Sequence, residues 1–484
     1  MHCPAPCAGI STGITTEFSI FIQCKAGRAC FAQTEMSPEM TKTFDVAGIG
    51  FGPANIALAA LFDEESLYSN SVFLDKSVNP TWQQEMLFNN ALDIHSNIQN
   101  IPHRDLATLR SPRSKYTFMN YLHRTGKLLS HLNMDLLMPM RPDFAAYVGW
   151  VAEQLSGKLQ TGCGVERITM LDEAHQHVYR IDMQSGEPVF ARHVVVGTGR
   201  EPYIPPAFEE LTASGRVFHL NRYNSAHKAL LNKGARKFAV VGSSQSAVEI
   251  LLHLSKYEPR LELHSFMRRF AFPLKDTNPF MSEIYFPSFT EMYFEAGKDL
   301  KGRIDRDVRR TNYGACDMDV LEELYRQLYY DRMHGVNRIT INRLTDILAA
   351  KEEAEGVRLT VRDGETGETR SECFDGVILA TGFRNIGSDS RSVRVPRLLE
   401  GVQDQLALDE DGCVQVDRSY RAQLQPGFAS AGALVLNGLC EATHGMGDAG
   451  SLSLLAPRAQ TIANALLQQD HDADAGLASG VAAQ

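Results

Sequence analysis

The stretch Phe44-Asp45-Val46-Ala47-Gly48-Ile49-Gly50-Phe51-Gly52-Pro53-Ala54-Asn55 decides the fold of this chain. Its apolar opening reads as a buried strand, and Pro53 to Phe62 reads as a helix. Between them, Gly48 permits a tight bend and Gly50 lets the backbone approach a pyrophosphate. The helix N-terminus adds unpaired N–H groups and the positive end of its dipole. The third fingerprint position holds Pro53 in place of glycine, with Gly52 just before it. Asp75 ends the next strand, Ser71-Val72-Phe73-Leu74-Asp75, where a carboxylate accepts ribose hydroxyls. Strand, turn, helix and acid predict a dinucleotide site formed by Gly48, Gly50, Gly52, Pro53, Asn55 and Asp75.

A second unit of this kind starts at Phe238-Ala239-Val240-Val241-Gly242-Ser243-Ser244-Gln245-Ser246-Ala247. Gly242 keeps the bend, Ser243 and Ser244 stand where glycines are usual, and Ala247 allows close helix–strand packing. Gly242, Ser244, Gln245 and Ser246 are therefore candidate cofactor contacts. No acid closes the following strand, Leu261 to Phe266; Arg268 and Arg269 lie there instead. An acid would repel a 2′-phosphate, whereas a guanidinium grips it in bidentate fashion, so Arg268 points to NADPH over NADH. The competing reading is a solvated arginine pair on a loop. A protein that stacks two dinucleotides usually passes a hydride between them, which makes the first ligand FAD.

The alternation of strands, turns and helices predicts an α/β fold. Two Rossmann-like dinucleotide-binding domains, for FAD and NADPH, are joined by a small substrate-binding region. We expect a disordered extension over 1–43, a discontinuous FAD domain over 44–211 and 371–468, an NADPH domain over 212–370, and a disordered tail over 469–484. In this scheme the strand Cys373 to Ala380 returns the chain to the first domain. Asp276 to Tyr313, aromatic and without clear period, reads as a functional excursion. At 484 residues the chain exceeds one hydrophobic core. A formal charge of −10 disfavours nucleic acid or an anionic membrane as partner. No run reaches the ~20 consecutive apolar residues of a membrane span. The nine cysteines contain no Cys-x-x-Cys pair, so reduced thiols in a cytoplasmic protein are expected and a metal site is not.

These turns and the segments around them resemble the flavin-dependent N-hydroxylating monooxygenases, which oxidise the side-chain amine of L-ornithine or L-lysine in siderophore biosynthesis. The resemblance runs from about Phe44 to Leu467. The family's Gly-x-Gly-x-Gly-Pro-Ala/Ser-Asn opening is intact from Gly48 to Asn55, and its Gly-Gln-Ser-Ala turn corresponds to Ser244-Gln245-Ser246-Ala247. Its Lys-Asp-Leu segment corresponds to Arg104-Asp105-Leu106. Its Arg-x-Glu-Phe-x-x-Tyr-x-x-Trp box corresponds to Arg141-Pro142-Asp143-Phe144-Ala145-Ala146-Tyr147-Val148-Gly149-Trp150. Thr311-Asn312-Tyr313, Ala380-Thr381-Gly382-Phe383 and His444-Gly445-Met446-Gly447-Asp448 complete the series. The Gly215 and His219 remnant of a related fingerprint resembles the N-hydroxylating branch more than the Baeyer–Villiger enzymes.

What the resemblance implies is specific. NADPH reduces FAD, and the reduced flavin activates O2 and passes one oxygen to a neutral amine. Gln99 matches a position near flavin and NADP and, with Asn312, is implied at the reacting centre. Thr311, Thr381, Gly382 and Asp448 extend the cofactor-binding set, although Asp448 also reads as a helix N-cap and His444 as a structural histidine. Arg104 stands where a lysine meets the amino-acid carboxylate, Ser282 where an asparagine holds the substrate, and Asn312 is a retained substrate asparagine. Arg104 argues for an amino acid over a plain diamine. The shortened Ser282 keeps open the α-amine of L-aspartate, and the degenerate second turn keeps open a non-catalytic nucleotide-binding redox sensor. A disulfide reductase is disfavoured because residues 76–130 contain no cysteine. Family members are often homotetramers, so an oligomer is expected.

Overall fold

The first motif forms β1 (Thr43–Ile49), whose last four residues are buried. This computed structural model describes residues 43–80, 82–88, 103–136, 138–173, 176–428 and 432–481. Parallel to β1 on one side lies β2 (Ser71–Leu74), and beyond it β3 (Leu159–Gln160). The hairpin β4 (Val165–Glu173) and β5 (Gln176–Met183) leads into β6 (Val189–Val196), which pairs with the other side of β1. The far edge of β6 is divided. Val189–Ala191 takes β5 antiparallel, and Val194–Val196 takes the late strand Leu434–Leu436 in parallel. The last part of the chain thereby completes the first sheet.

The second sheet contains β7 (Val217–His219), β8 (Lys237–Val241), β9 (Glu262–Phe266) and β10 (Ile339–Asn342). A separate antiparallel meander follows: β11 (Thr345–Glu352), β12 (Val357–Asp363) and β13 (Thr369–Phe374). Next comes β14 (Gly376–Leu379), and the second sheet runs β10-β9-β8-β14-β7, all parallel. The expected domain boundary at 370 is therefore misplaced. β14 lies between β8 and β7, so the NADPH-type domain extends through Leu379. The sequence misleads here because every buried parallel strand shows the same continuous apolar run. Only after β14 does the chain return to supply Leu434–Leu436 (β15).

Each sheet builds its own core. Val46, Leu58, Phe73, Val195 and Ile462 belong to one cluster, and Phe238, Ile250, Leu263 and Ile378 to another. Each such fully buried aliphatic or aromatic side chain contributes about 1.5–3 kcal/mol. The two crossings between domains run together. Pro202 bridges Phe383, Tyr203 N–H donates to Gly382 O at 2.9 Å, and Thr381 Oγ1 donates to Tyr203 O at 2.5 Å. His219 Nε2 pins the same Gly382 carbonyl at 2.9 Å.

The excursion folds into a short 3-10 helix, Met281–Tyr285, and helices Pro287–Glu295 and Lys298–Asn312. Ile284, Tyr285 and Val308 from it form a small core with Met446, which lies beyond β15. An insertion of the second domain thus closes against the end of the first. The tail also departs from expectation. Helix Leu455–Val481 runs well past Gln468, where the FAD domain was expected to end. Asp470 anchors it by accepting from Tyr68 Oη (2.9 Å), His193 Nε2 (2.7 Å) and Arg192 (2.7 Å). Polar composition concealed this partner, because an anchoring aspartate looks like a solvated one in sequence. The remaining terminal stretches, 1–42 and 482–484, lie outside the described residues. Among the described cysteines, Cys163, Cys316, Cys373, Cys413 and Cys440 are free thiols, as their spacing suggested.

Candidate active site

Gly50 turns through φ +84°, and a Cβ there would lie 2.8 Å from Gly197 O, so only glycine closes the first turn on β6. Gly48 packs flat against the Phe73 ring. Gly52 faces open space and caps helix Pro53–Glu64, with Pro53 in the first turn and no side chain spent on its leading N–H groups. Asp75 is held from two sides, by Phe51 N–H at 2.7 Å and Ser77 N–H at 2.8 Å. Each of its oxygens keeps further acceptor capacity for a ribose hydroxyl. An open helix N-terminus, a forced close approach and an oriented carboxylate fit a dinucleotide such as FAD.

Asn55 departs from its expected role. It is fully buried, its Nδ2 donates to Gly50 O at 2.7 Å, and its Oδ1 accepts from Asn437 Nδ2 at 2.9 Å. The side chain clasps the turn from behind and has no face toward a ligand. Sequence placed it in the motif but not on a side of it.

The second cradle is built alike. Gly242 has φ +151°, and a Cβ there would meet Ala380 O at 2.4 Å. Ser244 caps helix Gln245–Tyr257 without a side-chain hydrogen bond, and Ser246 is half-buried beside it. Gln245 is the exception among the expected contacts. Its Oε1 accepts from Asp317 N at 2.8 Å and its Nε2 donates to Glu249 at 3.0 Å, so the protein itself uses this buried amide. Arg268 follows β9 and is exposed at the strand's C-terminal end. Arg391, missed in the sequence, lies within electrostatic reach of it. Burial first, and then the charges of Arg309 and Arg268, lower the Arg391 pKa. Arg391 also stacks over Tyr203 at 4.4 Å and donates to Thr381 O at 2.8 Å. Converging cations beside an uncapped helix start fit the extra phosphate of NADPH. Thr381 and Gly382 belong to the domain crossing, where Thr381 spends its hydroxyl on Tyr203 O.

The third wall carries the substrate candidates. Arg104 is half-buried, its guanidinium carbon 5.7 Å from the Tyr285 ring centroid and 5.8 Å from that of Phe286. Its Nη1 is buried without a partner among the described residues, and burial lowers its pKa. Asp105 shapes this loop. Burial raises its carboxyl pKa, yet it accepts from the N–H groups of Ala107, Thr108 and Phe118. Tyr147, from the Arg141–Trp150 box, accepts from Leu106 N–H at 3.2 Å and donates to Tyr116 O at 2.7 Å. Two motif residues thus aim a third.

Ser282 sits in the 3-10 helix that carries Tyr285, its Oγ 3.5 Å from Thr277 O. Tyr285 Oη in turn lies 3.5 Å from Thr311 O. Asn312 donates to Met446 O at 3.0 Å, and the fully buried Thr311 keeps Oγ1 unpartnered among the described residues. The structure therefore brings Arg104, the Ser282 helix and Asn312 together through Tyr285. Gln99 lies outside the described residues.

Next to Asn312, Tyr313 Oη donates to Glu441 at 2.5 Å, while Glu441 also accepts from Asn385 (2.9 Å) and pairs with Arg200 at 3.4 Å. Burial pushes the Glu441 carboxyl up to about 7 against the opposing pull of Arg200. No local motif marks this cluster. Asp448 is corrected in turn. It is buried, accepts from Cys440 N–H at 2.8 Å and pairs with buried Arg458. It lies in the first turn of the short helix Gly447–Gly450, whose N-cap is Met446. His444 is structural, stacked on Tyr420 at 4.0 Å, with its pKa lowered by burial.

Residues 42–385 match the family described as L-lysine 6-monooxygenase/L-ornithine 5-monooxygenase. The chain is 32% identical over 434 residues to an L-ornithine N(5)-monooxygenase of Pseudomonas aeruginosa, covering 88% of this chain and 94% of the relative. Among solved structures, an ornithine N-hydroxylase of Kutzneria sp. 744 with reduced FAD, NADP+ and L-ornithine superposes with TM-score 0.79 at 28% identity. That match covers 89% of this chain and all of the other. An L-lysine 6-monooxygenase from Pseudomonas syringae gives 0.76 at 30% identity, covering 88% and 99%.

Proposed function

Because the chain belongs to the L-lysine 6-monooxygenase/L-ornithine 5-monooxygenase family, we propose that it N-hydroxylates the side-chain amine of L-ornithine or L-lysine. It is an FAD- and NADPH-dependent enzyme that consumes O2. The observation that carries the substrate reading is Arg104, whose half-buried guanidinium keeps a nitrogen unpartnered among the described residues, against Tyr285 and Phe286. A buried cation without a partner is costly, and an amino-acid carboxylate supplies that partner in bidentate form.

The first turn, with Asp75, holds FAD; the second, with Arg268 and Arg391, holds NADPH. Bound there, FAD and NADPH would supply hydride transfer and oxygen activation, one atom of O2 going to the amine and the other leaving as water. The protein's own task is positioning and drying. Arg104 anchors the carboxylate end, and Asn312, fixed by Met446 O, borders the substrate. Phe286, exposed beside Arg104, presents apolar surface, backed by the buried Tyr285 and Met446. A free amine of pKa ~10.4 costs roughly 4–5 kcal/mol to deprotonate at neutral pH, and desolvation by this wall reduces that cost. Water exclusion also limits wasted oxidant.

The same proposal includes a role in supplying N-hydroxylated amino acids to siderophore assembly, a cytoplasmic setting and a homotetramer. The test is NADPH-dependent product formation with ornithine, lysine, aspartate, putrescine and cadaverine, read by mass spectrometry. Ornithine or lysine is expected to lead. Preference for aspartate, or for either diamine, overturns the substrate assignment.

A further inference from the structure

Arg141, the first residue of the Arg141–Trp150 box, is not assigned to the substrate or cofactor sites described above. Arg141 opens helix Arg141–Gln154 of the FAD domain, and Glu249 lies in helix Gln245–Tyr257, the helix that begins at the second nucleotide turn. Their side chains are 4% and 7% exposed and meet as a fork, Nη2 to Oε1 at 2.8 Å and Nη1 to Oε2 at 3.0 Å. Arg141 also donates to Met86 O at 3.2 Å. On the other side, Glu249 accepts from Gln245 Nε2, and Gln245 bonds Ala315 O and Asp317 N. One run of hydrogen bonds therefore links the FAD domain to Gln245, the first residue of the helix that follows the NADPH turn. It continues to the segment just after Asn312. Lys298–Asp411 and Arg418–Glu295 also bridge the two halves, but both are surface pairs.

A buried fork resists both rotation and separation, because opening it exposes two unsatisfied charges to a poorly polar surrounding. We propose that Arg141 and Glu249 are a positioning pair that fixes the NADPH domain on the FAD domain in the orientation that delivers hydride. This rests on the two-cofactor reading above. Neither residue touches substrate or cofactor in this role; they act through the helix that carries Ser244 and Gln245.

The test compares wild type with the double variant Arg141→Met/Glu249→Leu, which replaces the pair by apolar side chains and leaves no lone buried charge. Flavin content and melting temperature are expected to stay close to wild type. In anaerobic stopped-flow, the limiting rate of flavin reduction at saturating NADPH is expected to fall at least tenfold. Small-angle scattering of the same variant is expected to show a broader distribution of interdomain distances. Arg141→Lys, which keeps the charge and gives up the fork, is expected to recover part of the rate. A double variant that reduces flavin at the wild-type limiting rate with an unchanged scattering profile overturns the proposal. Wild-type protein that binds flavin but is never reduced by NADPH defeats the functional reading itself, which is a separate result.

Discussion

Tyr313 Oη donates to Glu441 at 2.5 Å, and this bond ties the segment carrying Asn312 to the buried Arg200–Asn385 pair. Burial raises the Glu441 carboxyl from 4.5 to about 7. Between those values the folded protein holds a proton that the unfolded chain has released. The stabilising contribution is complete below 4.5 and is lost as pH rises through about 7. Fully expressed, the shift is worth roughly 3 kcal/mol. Glu441→Gln cannot titrate, so its melting temperature is expected to fall less than wild type's between weakly acidic and weakly alkaline buffer. Parallel curves contradict this assignment.

Gly52 faces open space in the first cradle. A side chain there meets no atom of the described residues within 4 Å and, on the cradle assignment, takes the room of the pyrophosphate. Gly52→Val is expected to fold, with a circular dichroism spectrum like wild type, and to purify without yellow colour. Gly50→Ala is expected to lose stability as well, because its backbone is left-handed and Gly197 O blocks the Cβ. The left-handed conformation alone costs an alanine about 1–2 kcal/mol. A Gly52→Val protein with full flavin content counts against the cradle assignment.

Arg104→Ala removes the expected carboxylate partner. Loss of a charged hydrogen-bonded contact costs about 1.5–3 kcal/mol, or about 10–100-fold in KM for ornithine. Any turnover of putrescine, which has no carboxylate, is expected to be unchanged. Arg104→Lys keeps the charge and recovers part of the loss. Steady-state kinetics with both amines separates these outcomes; equal damage to both assigns Arg104 to the fold.

The sequence made legible whatever is local. Two glycine turns with their strands and helices, the acid at Asp75 and the arginine after β9 all sit in the fold where the chain pattern puts them, because each depends on neighbours within one βα unit. Whatever depends on the far side of a chain crossing was not legible. Arg391 joins Arg268 from a distant loop, and Glu441 finds Arg200 only in three dimensions. Asn55, Gln245 and Asp448 illustrate a further limit. Each lies in a ligand-associated motif, but a motif does not say whether a polar side chain faces the ligand or the backbone behind it. β14 reads as a strand of the first sheet but lies in the second, because a buried parallel strand carries no mark of its neighbours.

Arg268→Ala tests the choice of nicotinamide cofactor. The variant is expected to need about 10-fold or more NADPH for half-maximal flavin reduction, the worth of one charge-assisted contact, with its NADH requirement nearly unchanged. Initial rates with each cofactor measure this. Equal changes for both cofactors mean that Arg268 does not read the 2′-phosphate.

NADPH oxidation coupled to oxygen transfer onto an uncharged amino-acid nitrogen is the reaction proposed for this fold. Its most direct test is a single-pot reaction of the yellow protein with NADPH, L-ornithine or L-lysine, and isotopically heavy O2, followed by mass spectrometry of the amino acid. The account expects one heavy oxygen on the side-chain nitrogen, in proportion to NADPH consumed. NADPH consumption without label in the amino acid, or label at another atom, contradicts it.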